Sequence, residues 1–435
     1  MTATLPAEAE RAVETVGHAD LVVGIPSFNN ARTIGRVTSA VNLGLAKYFP
    51  QFRAVVINSD GGSSDGTRQQ VLSARTEDAQ LLLLDTPLPA AHLLSIPYHG
   101  IPGKGSAFRL VFEMAQRLEA KACAVVDSDL RSITPEWIDL LLRPILVAGY
   151  DFVAPNYHRH KYDGTITNSI VYPLTRALYG RRVRQPIGGE FGLSGRLIQR
   201  YLELAEWETD IARFGVDIWL TTVAIAEGFR VCQSYLGAKL HDAKDPAADL
   251  SSMLEQVVGS VFSLMDGYQD VWQSVTGSKP VETFGFRFDV GLDPVEVNVR
   301  RLISAFERGC RELDEILRVV LSPDTYREIR LLTALASNSG AGFRLDGFRL
   351  EDGLWTRMIF DFACAHHRRK VSKSVLLRSL TPLYLGRVAS FVGETETMIA
   401  SEVDDRIERL CLEMEALKPM LVSQWRGEPR GEVNQ

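Results

Sequence analysis

The chain has 435 residues, a length that suits two or three domains, and its 46% hydrophobic and 23% charged content is that of an ordinary globular protein. A net charge of -6 speaks against nucleic-acid binding through a basic face. No stretch approaches the roughly eighteen uninterrupted apolar residues of a membrane-spanning helix. Residues 1–19 carry acidic groups and no long apolar run, so they read as an extension rather than a signal peptide or anchor. The five cysteines (Cys123, Cys232, Cys310, Cys364, Cys411) are odd in number and far apart, with no CxxC pair, which suits a reduced, cytoplasmic protein.

From residue 20 the pattern alternates. Apolar runs predict strands at 20–26 (DLVVGIP), 53–59 (RAVVINS), 80–85 (QLLLLD), 122–127 (ACAVVD) and 151–156 (DFVAPN). Helical spacing fills 31–49, 64–76, 105–120 and 134–149, and the last has Thr134 as N-cap with Pro135 at the first helical position. This alternation predicts an α/β fold: a mainly parallel sheet with helices on both faces, and a ligand site at the carboxyl ends of its strands. Beyond about residue 285 strand signals fade. Leu302, Phe306, Leu313, Leu317 and Val320 share one helical face of 294–321, Ser322-Pro323 restarts a helix, and 394–425 is long and amphipathic. The expected division is therefore 1–19 (extension), 20–284 (α/β domain) and 285–435 (helical region).

Four stretches of the first half could carry chemistry. "IPSFNNARTIGRV" (25–37) is a strand, a polar turn and a helix. In "VVINSDGGSSDGTRQ" (55–69), Asp60 ends a strand, and either shapes a turn in which Ser64 or Asp65 caps the next helix, or binds a nucleotide's hydroxyls or base. "HGIPGKGSAF" (99–108) puts Lys104 and flexible glycines near a helix start, where a phosphate could sit; Gly105 after the lysine excludes a Walker A loop. "VVDSDL" (125–130) ends a strand with Asp127 and Asp129 one residue apart. Such carboxylates repel unless something positive lies between them, and they could reach one Mg²⁺ or Mn²⁺ that binds a diphosphate.

Taken in this order the four stretches resemble the GT-A glycosyltransferases, which use nucleotide sugars; 20–70, with "PSFNN" and "SDGGSSDGT", resembles the family 2-like N-terminal half. The extra glycine at 61–62 departs from the DGS-x-DGT pattern. "NYHRHKYDGTITNSIVYPLTRALYG" (156–180), "QPIGGEFGLS" (185–194), "RFGVDIWLT" (213–221) and "GAKLHDAKD" (237–245) are similar in spacing to the retaining mannosylglycerate and glucosyl-3-phosphoglycerate synthases, over roughly 20–265. The resemblance implies a divalent metal, Mg²⁺ or Mn²⁺, on Asp127, Asp129 and His241. It implies donor contacts from Pro26, Ser27, Asn29, Asp60, Gly103, Lys104 and Ser128, and acceptor contacts from Arg159, Thr165, Thr167 and Gly189. Lys104, Glu190 and Asp217 would line the reacting centre. With retention the departing phosphate takes the proton; with inversion Glu190 or Asp217 would be the base.

The implied donor is a nucleoside diphosphate hexose, UDP-glucose ahead of GDP-mannose, and the acceptor a small acid, glycerate or 3-phosphoglycerate. Arg181, Arg182 and Arg184 could hold an acceptor phosphate or lie on the surface. Competing readings are a polysaccharide or lipid acceptor, a nucleotidyltransferase, or a non-catalytic assembly protein; "GIPSFNNART" is not the glycine-rich basic loop of a nucleotidyltransferase. Neither nucleic acid nor a membrane span is expected, and the C-terminal helices could form a homodimer. His366-His367, beside Arg368-Arg369-Lys370, reads as a solvated helix face rather than an ion site.

Overall fold

The computed structural model describes residues 5–74, 91–98, 102–208, 215–240, 246–287, 295–337 and 348–428. These fall into two compact units, one made of 1–158, 183–244 and 280–291, the other of 159–182, 245–279 and 292–435. The division thus falls at several points rather than near 285 alone. Segments 159–182 and 245–279 pack with the C-terminal helices.

The first unit begins with α1 (Ala7–Val16), β1 (Leu21–Ser27), α2 (Ile34–Tyr48), β2 (Ala54–Asp60), α3 (Thr67–Ser73), β3 (His92–Pro97), α4 (Lys104–Arg117) and β4 (Ala122–Val125). It continues with α5 (Pro135–Ala148), β5 (Phe152–His158), β6 (Phe191–Ser194), α6 (Gly195–Glu203), α7 (Val216–Ala226), β7 (Val231–Ala238) and β8 (Thr283–Phe284). The strands form one sheet in the order β8-β7-β5-β6-β4-β1-β2-β3. All pairings are parallel except those of β6, which runs antiparallel to β4 and β5.

Both faces of the sheet are covered, which is why β1 is an almost unbroken apolar run. Leu21, Val23 and Ile25 point into a core with Val37, Val41 and Leu45 of α2 and Trp137, Ile138 and Leu141 of α5. On the other face Gly24 meets α4 so closely that a Cβ would lie 2.5 Å from Val111 Cγ1. The start of α5 at Pro135 matches the sequence signal, although the Thr134 side chain bonds none of the helix N–H groups. The strand expected at 80–85 lies outside the described residues. The extension 1–19 supplies α1, whose Ala9 and Val16 are buried and whose Glu8 pairs with Arg68 at 2.9 Å.

β4 and β2 flank β1 on opposite sides, so the loops after β1 and β4 leave the sheet side by side. There the Thr33 hydroxyl donates to the Ser128 carbonyl at 2.8 Å, and the Ser128 hydroxyl donates to Asn30 Oδ1 at 2.9 Å. A reversal of strand order of this kind opens a crevice at the carboxyl edge of an open sheet.

The second unit is helical, with long members Pro246–Gly267, Val299–Glu312, Pro323–Ser337, Asp352–His367, Lys373–Thr395 and Ala400–Arg426. The helix expected over 294–321 breaks at Leu313, and its first part buries Ile303, Phe306 and Cys310, so Leu302 lies beside the apolar face. Lys373–Thr395 has the length and apolar average of a membrane-spanning helix, but 72% of its apolar 18-residue window is buried inside the protein, as in a core helix.

Ion pairs lock this unit. Arg176, fully buried, donates to Glu415 at 2.6 Å and to Glu408 at 2.8 Å, and Arg406 grips Asp352 with two nitrogens at 2.7 and 2.8 Å. Lys161 donates to the carbonyls of Thr395, Glu396 and Met398 where the helix Lys373–Thr395 ends, and so clamps that helix terminus. His366-His367 is not a solvated face either. Both imidazoles pair with Asp266, at 3.5 and 2.6 Å, and His367 stacks on Trp425 with ring centres 4.1 Å apart. All five cysteines are buried and none forms a disulfide.

Lys418 donates to the carbonyls of Val275 and Leu178 at 2.6 and 3.2 Å, and burial pushes its amine down to about 8, against Glu415. In the unfolded chain it titrates near its ordinary 10.5. The buried charge is therefore a full penalty below about pH 8. Between that pH and 10.5 the unfolded chain holds more of this proton, so stability rises with pH. In paired urea titrations, wild type should gain roughly 2–3 kcal/mol on Lys418→Met between pH 7.5 and 10.5; a gap independent of pH would show an unshifted amine.

Candidate active site

The loops that end β1 and β2 are laced by their own side chains. Asp60, fully buried, accepts from the Gly62 and Ser63 N–H groups at 3.0 and 2.8 Å on one oxygen. Its other oxygen accepts from the Ser63 and Ser27 hydroxyls at 2.6 and 3.0 Å. A carboxylate has about four lone-pair sites, so Asp60 is saturated within the loops. It shapes the turn rather than facing a nucleotide. Ser27 also accepts from Asn58 at 2.7 Å, and Asn29 bonds Ser63 and Ser64 at 2.8 and 3.0 Å. Asp65 accepts from Thr67 N–H at 3.0 Å, capping α3 from one residue before its Gly66 N-cap. The rim also carries Phe28, which is 61% exposed.

Beside this rim lies a cluster of charges in which Lys239 and Glu190 are buried and Lys104, Asp127 and Asp217 are partly buried. α4 starts at Lys104, with Gly103 as N-cap, and the Gly103 N–H donates to the Tyr98 hydroxyl at 3.0 Å. The Lys104 ammonium meets Asp127 Oδ1 at 2.7 Å, Asp217 Oδ2 at 3.2 Å and, more weakly, the Gly189 carbonyl at 3.4 Å. A second ammonium, Lys239 at the end of β7, meets Asp127 Oδ2 at 2.9 Å and Glu190 Oε1 at 2.8 Å. Tyr157 donates to the other Glu190 oxygen. Asp217 sits in the first turn of α7, and its Oδ1 is buried with no hydrogen-bond partner among the described residues.

Gly189 makes the close packing feasible. Its φ of +95° is costly for other residues, and a Cβ there would lie 2.4 Å from Asp127 Oδ2 and 3.1 Å from Lys104 Nζ. The electrostatics follow from burial. Desolvation works against the Asp127 charge, yet Lys104 and Lys239 outweigh it and hold the carboxyl well below its usual range. Burial and then the nearby Asp127 charge push Glu190 well up, against Lys239. Asp217 is also raised, by burial, against Lys104. Burial alone would lower Lys104, but Asp127 and Asp217 carry it above its ordinary value.

Sequence and structure meet here in part. Lys104, Asp127, Gly189, Glu190 and Asp217 converge from four separate stretches of the chain, and Pro26, Ser27, Asn29, Asp60, Gly103 and Ser128 lie in the strand ends and loops around them. The positive charge expected between the two aspartates is supplied to Asp127 by two lysines, and a metal ion on this carboxylate would have to displace one of them. Asp129, partly buried, lies two residues on. His241 lies outside the described residues, and among those described no three His, Cys, Asp or Glu side chains gather as a metal site.

Glu190 faces Lys239 and Tyr157 and is wholly buried, so it does not stand as a base open to substrate. Arg159, Thr165 and Thr167 belong to the second unit. There Arg159 lies 3.8 Å from Asp163, Thr165 shares a hydrogen bond with Tyr384 at 2.5 Å, and Thr167 is buried at a helix start. Arg182 donates to Ser278 at 3.0 Å. Sequence reasoning missed Lys239; its only signal was a lysine two residues before His241 in "GAKLH".

No protein-family model matches the chain, and no curated protein does. Among solved structures, similar ones include glucosyl-3-phosphoglycerate synthase from Mycobacterium tuberculosis with Mn²⁺, UDP and glucosyl-3-phosphoglycerate, at 22% identity and a TM-score of 0.42, over 60% of this chain and 86% of that one. The same enzyme with Mn²⁺, UDP-glucose and phosphoglyceric acid matches at 21% identity and 0.41, over 60% and 84%. With Mg²⁺ and UDP it matches at 21% and 0.41, over 60% and 85%.

Gly189→Ala should be destabilised by about 2–3 kcal/mol, from strain at positive φ and the clash with Asp127. Chemical denaturation measures this, and a loss below about 0.5 kcal/mol would mean that the turn relaxes freely.

Proposed function

We propose that this chain is a GT-A glycosyltransferase. It moves a hexose from a nucleoside diphosphate sugar, UDP-glucose ahead of GDP-mannose, to a hydroxyl of glycerate or 3-phosphoglycerate, with retention. The observation that carries the reading is Lys104. Its ammonium stands at the N-terminus of α4, at the carboxyl edge of the sheet, anchored by Asp127 and Asp217. Two of its three N–H donors are committed to carboxylates and the third makes only the 3.4 Å contact to Gly189. That third donor can turn to a diphosphate, whose negative charge the helix terminus also favours.

Asp217 supports the sugar half of the reading. A buried acceptor without a partner carries a desolvation cost that a sugar hydroxyl would relieve. Asp129 and His241 would hold a divalent cation, Mg²⁺ or Mn²⁺, and that ion would neutralise charge on the departing diphosphate. Lys104 stabilises the same leaving group in a site already set for it. With retention no protein base is needed, because the leaving phosphate takes the acceptor's proton. With inversion, Asp217 rather than Glu190 has an available oxygen.

The test is a thermal-shift panel with UDP-glucose, GDP-mannose, ADP-glucose and UDP-GlcNAc, each with and without Mn²⁺, followed by mass detection of product from glycerate and 3-phosphoglycerate. A donor at a hundredfold over its Kd adds about 2.7 kcal/mol to folding stability. One donor should raise the melting temperature in the presence of Mn²⁺. Asp217→Asn should reduce the UDP-glucose shift to that of UDP, since the lost contact is to the sugar. A panel without any shift would sink the reading.

A further inference from the structure

Lys239 has no part in the sequence reading, yet it bonds three residues of the cluster, as many as Lys104 does. Its side chain is 6% exposed, and its ammonium lies within 2.7 Å of the Gly188 carbonyl, 2.8 and 3.0 Å of the two Glu190 oxygens, and 2.9 Å of Asp127 Oδ2. The amine also lies 5.4 Å from the centre of the Tyr157 ring. These acceptors come from the end of β4 and the turn before β6, while Lys239 comes from the end of β7. Nothing else described joins all three.

We propose that Lys239 is a positioning residue of this site: it pins the turn 188–190 against Asp127 and so places Lys104 for the diphosphate, without itself contacting substrate. The inference rests on the glycosyl-transfer reading and deepens it. The coupling is steric as well as electrostatic. Gly189 lies between Gly188 and Glu190, which Lys239 holds, and it packs against Asp127 with no room for a side chain. The Gly189 carbonyl is in turn a contact of Lys104. Without Lys239, Asp127, Glu190 and Asp217 would face Lys104 as their one remaining ammonium. The fully buried Glu190 would then lose the ammonium that both its oxygens accept from, and a buried carboxyl left short of donors beside Asp127 moves the turn.

The test compares Lys239→Met, Lys239→Arg, Glu190→Gln and the double variant Lys239→Met/Glu190→Gln in the full-length protein. With UDP-glucose and Mn²⁺ as the probe, Lys239→Met should lose about 100-fold in kcat while the KM for UDP-glucose stays within about threefold, and Lys239→Arg should recover about tenfold. In melts without substrate, Lys239→Met should lower the melting temperature by about 4 °C, and adding Glu190→Gln should return about half of it. An unchanged kcat in a folded Lys239→Met, or melting shifts that simply add, would overturn the proposal. If Lys239→Met does not fold, Lys239→Arg decides: a kcat loss at wild-type melting temperature supports the assignment, and wild-type kcat overturns it. A wild type that transfers no sugar strikes the transfer reading instead, and the melting cycle then judges Lys239 alone.

Discussion

Asp127 between two ammonium groups is the interaction on which the first unit's site depends. A carboxylate largely withdrawn from water at the end of a central strand is stable only with compensating charge close by. Lys104 and Lys239 supply it from opposite directions, one from the start of α4 and the other from the end of β7, and each brings further acceptors with it. The result is a knot of two ammonium groups and three carboxylates that ties the ends of β4 and β7, the turn before β6 and the starts of α4 and α7. The knot is asymmetric: each lysine has a second carboxylate to fall back on, whereas Asp217 and Glu190 each depend on one ammonium.

The rim around β1 follows the opposite rule. Its loops are polar and partly exposed, but their side chains are spent on one another. Asp60, Ser27, Asn58, Asn29 and Asp65 bond within or between the two loops, and Ser128 ties them to the end of β4. The loops thereby gain a fixed shape without helix or strand. A loop that is ordered before a ligand arrives loses less entropy on binding.

The helical unit uses charge differently again. Arg176 and Arg406 are as buried as any residue of the cluster, but each meets two acidic side chains, so both serve cohesion between helices. In the first unit one carboxylate oxygen, that of Asp217, is left without a partner among the described residues. Buried charges that are saturated hold a fold together. A buried acceptor kept waiting beside an anchored ammonium is what a binding site needs.

The sequence by itself determined the alternation of strands and helices, the helical character of the C-terminal region, and the stretches that bear Lys104, Asp127, Glu190 and Asp217. These are local signals: apolar runs, a proline at a helix start, glycines where backbone must bend. What only the tertiary structure decided is who meets whom. β6 was illegible because four residues, Phe191–Ser194, carry too little pattern to mark a strand, and their antiparallel direction is set by neighbours β4 and β5. Asp60 looked like a ligand contact until its four loop donors were counted. Lys239 looked like nothing, because a lysine's role depends on which carboxylates the fold brings within 3 Å of it, and here they lie 49 and 112 residues away in sequence. Likewise His366 and His367 gave no local hint of Asp266, which lies 101 residues from His367 and reaches it only when two helices pack. Charge pairing acts through space, and sequence spacing records it only where the partners share one turn or one strand.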